Sequence, residues 1–545
     1  MFAISAVILN RTPGLALLRC CVATVVGLTL FSTSQAIVPA ERPMTQADPP
    51  PPNIVFFLVD DLGWRDLGCY GSPFYETPHV DQLAQQGVRF SDAYAACHVC
   101  SPTRASILTG KYPARLGLTD WISGRRDFPF QKLVNVKNLQ QLPLEEVTLA
   151  EALKAHGYAT GHFGKWHLGE DPAGPLQQGF DVQVPRWNKG WPRAGYHPPM
   201  KLDGLDDQPG DYLTDRLTDE ALKFIEQNQK QPFFLYLSHF AVHDPIQGRE
   251  DLVNKYRAKL RGLPDPVGQA FVLEGNPDDE RPLSRNELNN LIRQPAFAPY
   301  QVLPQRTVKI KQQQDNIEFA GMVQAMDQSL GRVLAKLDSL GLADNTMIVF
   351  FSDNGGMSAA NFGRPDRVVS AEQLDRAYST SNLPLRGAKG WLYEGGIRVP
   401  LIVKWPGQAQ AGTVCSEPVI STDFYPTLLE MAGLPAMPEQ AVDGKSFVAS
   451  LQGAAIDRGP IYWHFPHYSN HGMQSPGGAI RMGNYKLLEY FENDTVQLFD
   501  LKKDLGEQRN LADTRPEKVA ELRSRLHGWR NSLAAKMNRR KTEGK

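Results

Sequence analysis

Three acids and an amide stand directly behind two apolar runs of the chain. Asp60 and Asp61 follow Asn53–Val59, and Asp353 and Asn354 follow Thr346–Ser352. Solid apolar runs of this length read as strands covered on both faces, and in open α/β sheets ligands bind beyond the carboxyl ends of such strands. Brought together there, three carboxylates repel one another unless a cation neutralises them. All-oxygen ligation suits calcium or magnesium rather than zinc, so the four residues point to a hard divalent metal. The plain alternative is that each acid caps a turn or helix at its own strand end, as Asp and Asn commonly do. Cys97 and Cys100 form a C-x-x-C pair, which elsewhere marks a redox thiol or half a zinc site. No second pair of that spacing exists in the chain, and Cys97 also reads as a small buried residue.

Such residues need a scaffold to hold them. Residues 233–238 form another apolar run, with His239 and His243 behind it. Helical patterns lie between the strands, at 80–86 closed by Gly87, at 149–156 closed by Gly157, and at 214–227. The longest spans about 315–340, with Ile317, Met322, Met326, Leu330, Val333 and Leu337 at helical spacing and Gly341 as its stop. Strands alternating with helices predict an α/β fold, a large mostly parallel sheet sandwiched by helices. From 435 onward short alternating strands at 479–482, 485–490 and 496–499 and a helix over 516–537 predict a smaller C-terminal α+β subdomain with a basic tail. Residues 245–304 carry eight prolines and are expected to form an irregular insertion over the face where the strands end.

The 545 residues include 58 basic and 59 acidic side chains, a net charge of -1. No global field holds nucleic acid or an anionic membrane, so any anion must be met by a local cluster. At 42% hydrophobic and 21% charged residues, disorder and fibre are excluded. Near the start, Arg11 and Arg19 precede the apolar run 20–31, and Ser34-Gln35-Ala36 places small residues where a signal peptidase reads. The expected organisation is a cleaved signal over 1–36, a Pro-rich leader over 37–52, a catalytic region over 53–434 and the C-terminal subdomain over 435–545. The apolar run is too short to cross a hydrocarbon core of about 30 Å. No stable membrane anchor is therefore expected after cleavage, and the location is the periplasm or cell exterior, or a lysosome or ER lumen in a eukaryote. Cys69, Cys97, Cys100 and Cys415 would remain, too few for a disulfide scaffold.

Cys100-Ser101-Pro102-Thr103-Arg104, followed by Leu108-Thr109-Gly110, resembles the signature of the formylglycine-dependent type I sulfatases, the arylsulfatase family with the alkaline phosphatase superfamily fold. In that family a maturation enzyme oxidises the cysteine to an aldehyde. The likeness runs from Asn53 to about Leu511. It includes Val59-Asp60-Asp61-Leu62-Gly63, Gly164-Lys165-Trp166-His167-Leu168-Gly169, Ser352-Asp353-Asn354-Gly355-Gly356, Leu385-Arg386-Gly387-Ala388-Lys389-Gly390, Tyr393-Glu394-Gly395-Gly396 and Arg481-Met482-Gly483-Asn484-Tyr485-Lys486-Leu487. It implies hydrolysis of sulfate monoesters. The aldehyde has a physical logic, because a serine or cysteine that attacked sulfur would be left as a stable sulfated side chain. In a hydrated aldehyde one hydroxyl attacks and expels the alcohol; the other then loses its proton, and collapse to the carbonyl ejects sulfate. A bound metal lowers the pKa of the diol and orients it with the sulfate. The resemblance implies one calcium ion, with magnesium possible, held by Asp60, Asp61, Asp353, Asn354 and the oxygen of modified Cys100.

The same resemblance carries roles onto matching residues. Arg104 would hold the metal-bound hydroxyl, from just inside a helix opened by Pro102. Lys165 and Lys389 would contact sulfate oxygens. His167 would hold the second hydroxyl and take its proton, and His243 would protonate the leaving oxygen. Lys165 and His167 alternate on what reads as a short extended segment, so both can face one side. His239 competes with His243, but only His243-Asp244-Pro245 matches the family's His-X-Pro element. Two other readings stand beside this one: a phosphatase or phosphodiesterase of the same superfamily, and an inactive glycan-binding member. The segment 187–205 offers Trp187, Trp191 and Tyr196 as flat faces for sugar rings and Lys189, Arg193, His197 and Lys201 for further anionic groups; aromatics in such a segment can equally pin it to the core. The expected substrate is a sulfated glycan or aryl sulfate, with exo action on a sulfated galactose or N-acetylgalactosamine residue.

Overall fold

The computed structural model describes residues 50–542 apart from 126, 128–130, 266, 280–286, 288–289, 291–307, 360–377, 438–439, 470 and 472–473. The expected signal and nearly all of the leader lie outside the described residues.

Eight strands form the main sheet: Asn53–Val59 (β1), Val88–Phe90 (β2), Ala159–Gly164 (β3), Val182–Val184 (β4), Phe233–Ser238 (β5), Thr346–Ser352 (β6), Leu401–Lys404 (β7) and Thr413–Cys415 (β8). Their order is β8-β2-β7-β6-β1-β5-β3-β4. All neighbours are parallel except the two pairs made by β7, so this strand alone runs against the rest. Val59 lies opposite Ser352, Leu58 opposite Ser238, and Ser238 opposite Gly164. The chain therefore leaves β1, β3, β5 and β6 at one edge, side by side.

The sheet is buried on both faces, as its apolar runs require. Val55, Phe57 and Val59 pack with the helices Pro78–Gln86 (α1), Leu213–Gln227 (α2), Glu250–Arg261 (α3) and Ile317–Ser339 (α4). Ile54, Phe56 and Leu58 pack on the other side, with Ala105, Ile107 and Leu108 of the helix Cys100–Thr109 and with Phe424 and Leu428 of Phe424–Met431. Each of these β1 side chains is fully buried. At about 1.5–3 kcal/mol apiece this exceeds the roughly 1–2 kcal/mol of backbone entropy that each residue loses. Asp327 on α4 accepts the His79 and Val80 N–H groups and so caps α1 from a neighbouring helix.

The proline-rich stretch departs from expectation. It contains the three-turn helix α3, whose Leu252, Val253 and Tyr256 are buried, and a strand, Phe271–Glu274, paired with Val308–Lys311. Glu250 and Asp251 in the first turn of α3 and Lys259 and Arg261 in the last complement its dipole. Most of 280–307 lies outside the described residues.

Strands Ile461–Phe465 (β9), Gly477–Met482 (β10), Tyr485–Tyr490 (β11) and Val496–Asp500 (β12) form an antiparallel sheet in that order. Trp463, Ala479, Leu488, Tyr490 and Phe499 on one face join Tyr94, Trp391 and Tyr393. Ile480, Leu487 and Leu498 on the other meet Leu522 and Leu526 of the helix Pro516–Ser532, which ends five residues earlier than expected. A buried charge cluster accompanies the first contact. Lys486 Nζ lies 2.9 Å from both Glu394 and Glu507, and Arg398 and Arg481 both pair with Asp92. Among the described residues no helix is long and apolar enough to cross a membrane.

Candidate active site

The strand ends are locked together by main-chain bonds before any side chain contributes. The Asp60 N–H donates to the Ala241 carbonyl at 2.9 Å and the Val242 N–H returns a bond to the Asp60 carbonyl at 2.7 Å, so the segment behind β5 is zipped to the end of β1. Asp353 N–H donates to the Val59 carbonyl. Asp61 adopts a left-handed backbone, its N–H reaches Asp353 Oδ1 at 3.3 Å, and its carboxylate accepts from Asn354 Nδ2 at 2.8 Å. Asp60, Asp61, Asp353 and Asn354 thus meet at one point, all buried.

Opposite them lies a wholly buried helix that begins at Cys100 itself, with Val99 as its N-cap and Pro102 as its third residue rather than its first. Arg104 projects from its second turn. Its Nε donates to Asp353 at 2.8 Å, its Nη1 to the Lys165 carbonyl at 2.8 Å and to Ser238 Oγ at 2.6 Å, and its Nη2 lies 3.9 Å from Asp60. One planar guanidinium therefore ties β6, β3, β5 and β1 together at their ends, a task its fixed fork of donors suits. Burial lowers its pKa, but Asp353 and Asp60 outweigh burial and raise it.

Two lysines complete the charge balance. Lys165 Nζ sits 2.6 Å from Asp60, and Lys389 Nζ lies 2.7 Å from Asp61 and 3.6 Å from Cys100 Sγ. Burial and the neighbouring Asp353 push Asp60 up to about 6 against Lys165. Asp61 is buried too, yet Lys389 and His243 hold it below the ordinary carboxylate range.

The two histidines contrast. His167 is not on an extended segment: β3 stops at Gly164, and His167 has a φ of 59°. Its Nε2 lies 2.5 Å from the Ile122 carbonyl, which can only accept, so Nε2 carries the proton and Nδ1 the lone pair. Nδ1 is buried without a partner, and burial, aided by Lys165, keeps the ring neutral, well below the usual histidine pKa. A side chain at Gly190 would overlap this ring. His243 is 12% exposed, against at most 4% for Asp60, Asp61, Asp353, Arg104, Lys165 and Lys389, and turns Nε2 to within 3.7 Å of Asp61 and Nδ1 to 2.8 Å from Asp244. Burial and Lys389 lower its pKa, but Asp61, Asp244 and Asp60 together carry it well above the ordinary value. His239 faces away, with Nε2 2.9 Å from Ser329 Oγ and its ring against Phe57.

Sequence reasoning missed Ser238 and Asp244, although both adjoin residues it singled out. It also misplaced Tyr196, which is buried and donates to the Phe240 and His243 carbonyls, fixing the His243 loop instead of facing a sugar. Trp187 is half-buried, donates to the Trp191 carbonyl and lies under Arg193, while Trp191 is 45% exposed. Lys189 pairs with Glu170, and Arg193, His197 and Lys201 are exposed.

A hard cation fits this donor set. Asp60 Oδ1 and Asn354 Oδ1 are buried without a hydrogen-bond partner, which costs roughly 1–3 kcal/mol each. Ligand atoms of Asp60, Asp61, Cys100 and His243 lie within 4.8 Å of one another. Cys69, Cys97, Cys100 and Cys415 are all free, so no Cys97–Cys100 disulfide blocks the first turn of the helix.

Comparison with known proteins agrees with this geometry. The Sulfatase family model matches residues 52–434, and the model for the C-terminal region of N-sulphoglucosamine sulphohydrolase matches 388–535. A sulfatase of Formosa agariphila is 30% identical, over 88% of this chain and 88% of its own. Human N-acetylgalactosamine-6-sulfatase is 31% identical over 76% of this chain and 69% of its own. The crystal structure of Ps i-CgsB in complex with k-i-k-neocarrahexaose superposes with a TM-score of 0.63 at 28% identity, covering 88% of this chain and 93% of that one. The first family match spans every strand that delivers a residue to the buried cage, and on that ground the chain belongs to the sulfatase family as a type I member, a hydrolase of sulfuric esters.

Proposed function

We propose that this is an exported sulfatase that removes sulfate from a carbohydrate in an exo manner, using formylglycine made from Cys100 and one calcium ion, with magnesium as the ion of like preference. The observation that carries the reading is the position of Cys100. It opens a buried helix beside Lys389 and Asp61, where Asp60 Oδ1, Asn354 Oδ1 and Arg104 Nη2 have no hydrogen-bond partner. Asp60, Asp61, Asp353, Asn354 and the oxygen of modified residue 100 would hold the cation, which supplies Lewis-acid polarisation of the sulfate. The hydrate of a formylglycine at 100, its aldehyde made by a maturation enzyme, would provide a hydroxyl nucleophile; departure of sulfate returns the aldehyde, and water restores the hydrate.

The chain's own residues do the rest. Lys165 and Lys389 each carry three donors, enough to keep a carboxylate and bind a sulfuryl oxygen. Arg104 orients Asp353 and the Lys165 segment and keeps Nη2 for the oxygen of residue 100. His243, charged and partly exposed, gives the proton on Nε2 to the leaving alcohol, while Asp244 holds Nδ1. His167 accepts a proton at Nδ1, its tautomer set by the Ile122 carbonyl. Support for a carbohydrate comes from the relatives' own substrates and from Trp191, exposed beside the Arg193–Trp187 pair.

Turnover of an aryl sulfate, an aryl phosphate and a panel of sulfated mono- and oligosaccharides by calcium-loaded protein tests this, alongside mass spectrometry of the peptide carrying residue 100. The expected result is an aldehyde at 100, a large preference for sulfate, and hydrolysis of at least one sugar. An alkylatable thiol at 100 in fully active enzyme would remove the formylglycine step. Refusal of every glycan with aryl sulfate still hydrolysed would remove the carbohydrate.

A further inference from the structure

The segment between β9 and β10 brings one more titratable side chain to this cage, and no step above uses it. The segment is anchored on both sides. Ser469 N–H donates to the Gln474 carbonyl at 3.0 Å, Arg125 Nη1 donates to the Ser469 carbonyl at 2.6 Å, and Gln474 Oε1 accepts the Leu392 N–H at 2.7 Å. Between these anchors His471 lies against the turn that carries Lys389. A Cβ added to Gly390 would stand 2.5 Å from His471 Cβ and 2.9 Å from its Cδ2. His471 is as buried as Lys389, both being 3% exposed, and its Nδ1 has no hydrogen-bond partner.

The charged groups in range of its ring are Lys389, Asp61, Asp244 and His243, groups of the cage in which the proposed function seats the ester. Burial, with Lys389 second, holds the imidazole near a pKa of about 3, so it is neutral at every working pH. A buried ring nitrogen left without a partner is costly, and such atoms in native proteins are normally satisfied. A neutral imidazole offers one N–H and one lone pair. That pattern matches a hydroxyl, whereas an anionic group would be better met by an ammonium.

We propose that His471 is a specificity-determining residue, hydrogen-bonding a hydroxyl of the alcohol part of the substrate on the side of Lys389 and His243. This rests on the carbohydrate reading and deepens it: the cage is completed by an alcohol with a further free hydroxyl rather than by a bare aromatic or hydrocarbon ring. The C-terminal subdomain thereby takes part in substrate choice through a residue whose chemistry differs from that of the sulfate-binding lysines.

The test compares wild type, His471→Ala and His471→Gln, each matured and calcium-loaded, on 4-nitrophenyl sulfate and on the sulfated monosaccharide best hydrolysed in the panel. The readout is the ratio of kcat/KM for sugar over aryl ester. It is expected to fall by about 10- to 100-fold in His471→Ala and to recover in part in His471→Gln. An unchanged ratio overturns the proposal, whether both activities persist or both decline together, since a merely structural role would move them alike. If His471→Ala does not fold, as judged by its thermal transition, His471→Gln reads the same ratio. A wild type that hydrolyses the aryl ester and no sugar ends the carbohydrate reading and this inference with it. A wild type that hydrolyses a sugar while the ratio stays fixed ends only the role of His471.

Discussion

Among the described residues, the buried charges between the two sheets and those at the strand ends are resolved differently. Between the two sheets, Lys486 pairs with Glu394 and Glu507, Arg398 with Glu394 and Asp92, and Arg481 with Asp92. These ion pairs close on one another; Glu507 Oε1 has no hydrogen-bond partner but lies 2.9 Å from the Lys486 ammonium. At the strand ends Asp60, Asp61 and Asp353 face Lys165, Lys389 and Arg104, yet Asp60 Oδ1, Asn354 Oδ1, Arg104 Nη2 and His167 Nδ1 keep no hydrogen-bond partner. The difference lies in what fixes the groups. The interface charges sit on long side chains free to find one another, whereas the strand-end charges are set by strand register and by an arginine clamp. On the proposed function, the unpartnered atoms of the second cluster are the positions that the cation and the reacting groups would take.

Substitutions can break that comparison. The largest effect is expected from Cys100→Ala, which should cut turnover of 4-nitrophenyl sulfate by about 10⁴-fold or more while shifting the thermal transition little, because one small buried side chain costs only about 1 kcal/mol. A transition lowered in proportion to the lost activity would contradict the separation of chemistry from fold at this position.

Next come two buried lysines of opposite duty. Lys486→Met should cost about 3–5 kcal/mol, since it leaves the buried Glu507 with no paired cation and Glu394 with Arg398 alone, while folded protein keeps its turnover. Lys389→Met should leave the calcium-loaded fold standing and cut kcat/KM by about 10²- to 10³-fold. The sign of the pH dependence sharpens the point. Burial raises Glu394, but Lys486, with Arg398 and Arg481, holds it down at about 2, so in the wild type its contribution is complete above 4.5 and is lost progressively as pH falls from there to about 2. Burial pushes Glu507 up to about 7, so its ionisation is a penalty that grows as pH rises from 4.5 to about 7. Without Lys486, Glu507 loses the cation that favours its ionised form and binds its proton still more tightly folded than unfolded. Thermal melts of Lys486→Met should therefore rise as pH is lowered from neutrality toward 5, and a flat profile would count against the pairing.

A smaller effect concerns the ion. Asp60 stands at about 6 against 3.8 unfolded. In chelated protein its ionisation is thus a penalty that grows across that window as pH rises and is complete above it. Calcium binds the ionised form, so it should raise the melting temperature more above pH 7 than near pH 5. An equal shift at both would exclude Asp60 as a ligand. The smallest expected change is Gly190→Ala, which presses on the His167 ring and should lower kcat about tenfold through misplacement alone. Unaltered kcat and pH profile would show that ring position is not limiting.

The strands and their terminal acids were legible because a strand buried on both faces has no polar alternation, so the first charged residue marks where it ends. The helix that starts at Cys100 was placed two residues late, since Pro102 is a familiar first-turn residue and Val99 offers no side-chain cap. Prolines masked α3, although Leu252, Val253 and Tyr256 with acids before and bases behind spell an amphipathic turn. Lys165 and His167 read as alternating because nothing local announces the left-handed backbone at 167. Tyr196 and His471 were beyond reach for a different reason. Their surroundings are assembled from segments far apart in sequence, Phe240 and His243 for one and Gly390 for the other. The family assignment, resting on ordered blocks along the chain, displaces both the phosphatase and the inactive-binder readings.

Arg104 has a consequence for how the enzyme fails when heated. Its guanidinium joins four strand ends from the middle of the sheet, so those ends cannot separate one at a time without stranding a buried charge. Local opening of the cage is then nearly as costly as loss of the whole sheet, and hydrogen exchange at Asp60, Lys165 and Asp353 belongs with the slowest, globally unfolding amides rather than with the rim. Activity and native structure should vanish in one cooperative transition, with no interval in which an intact fold carries a disordered centre.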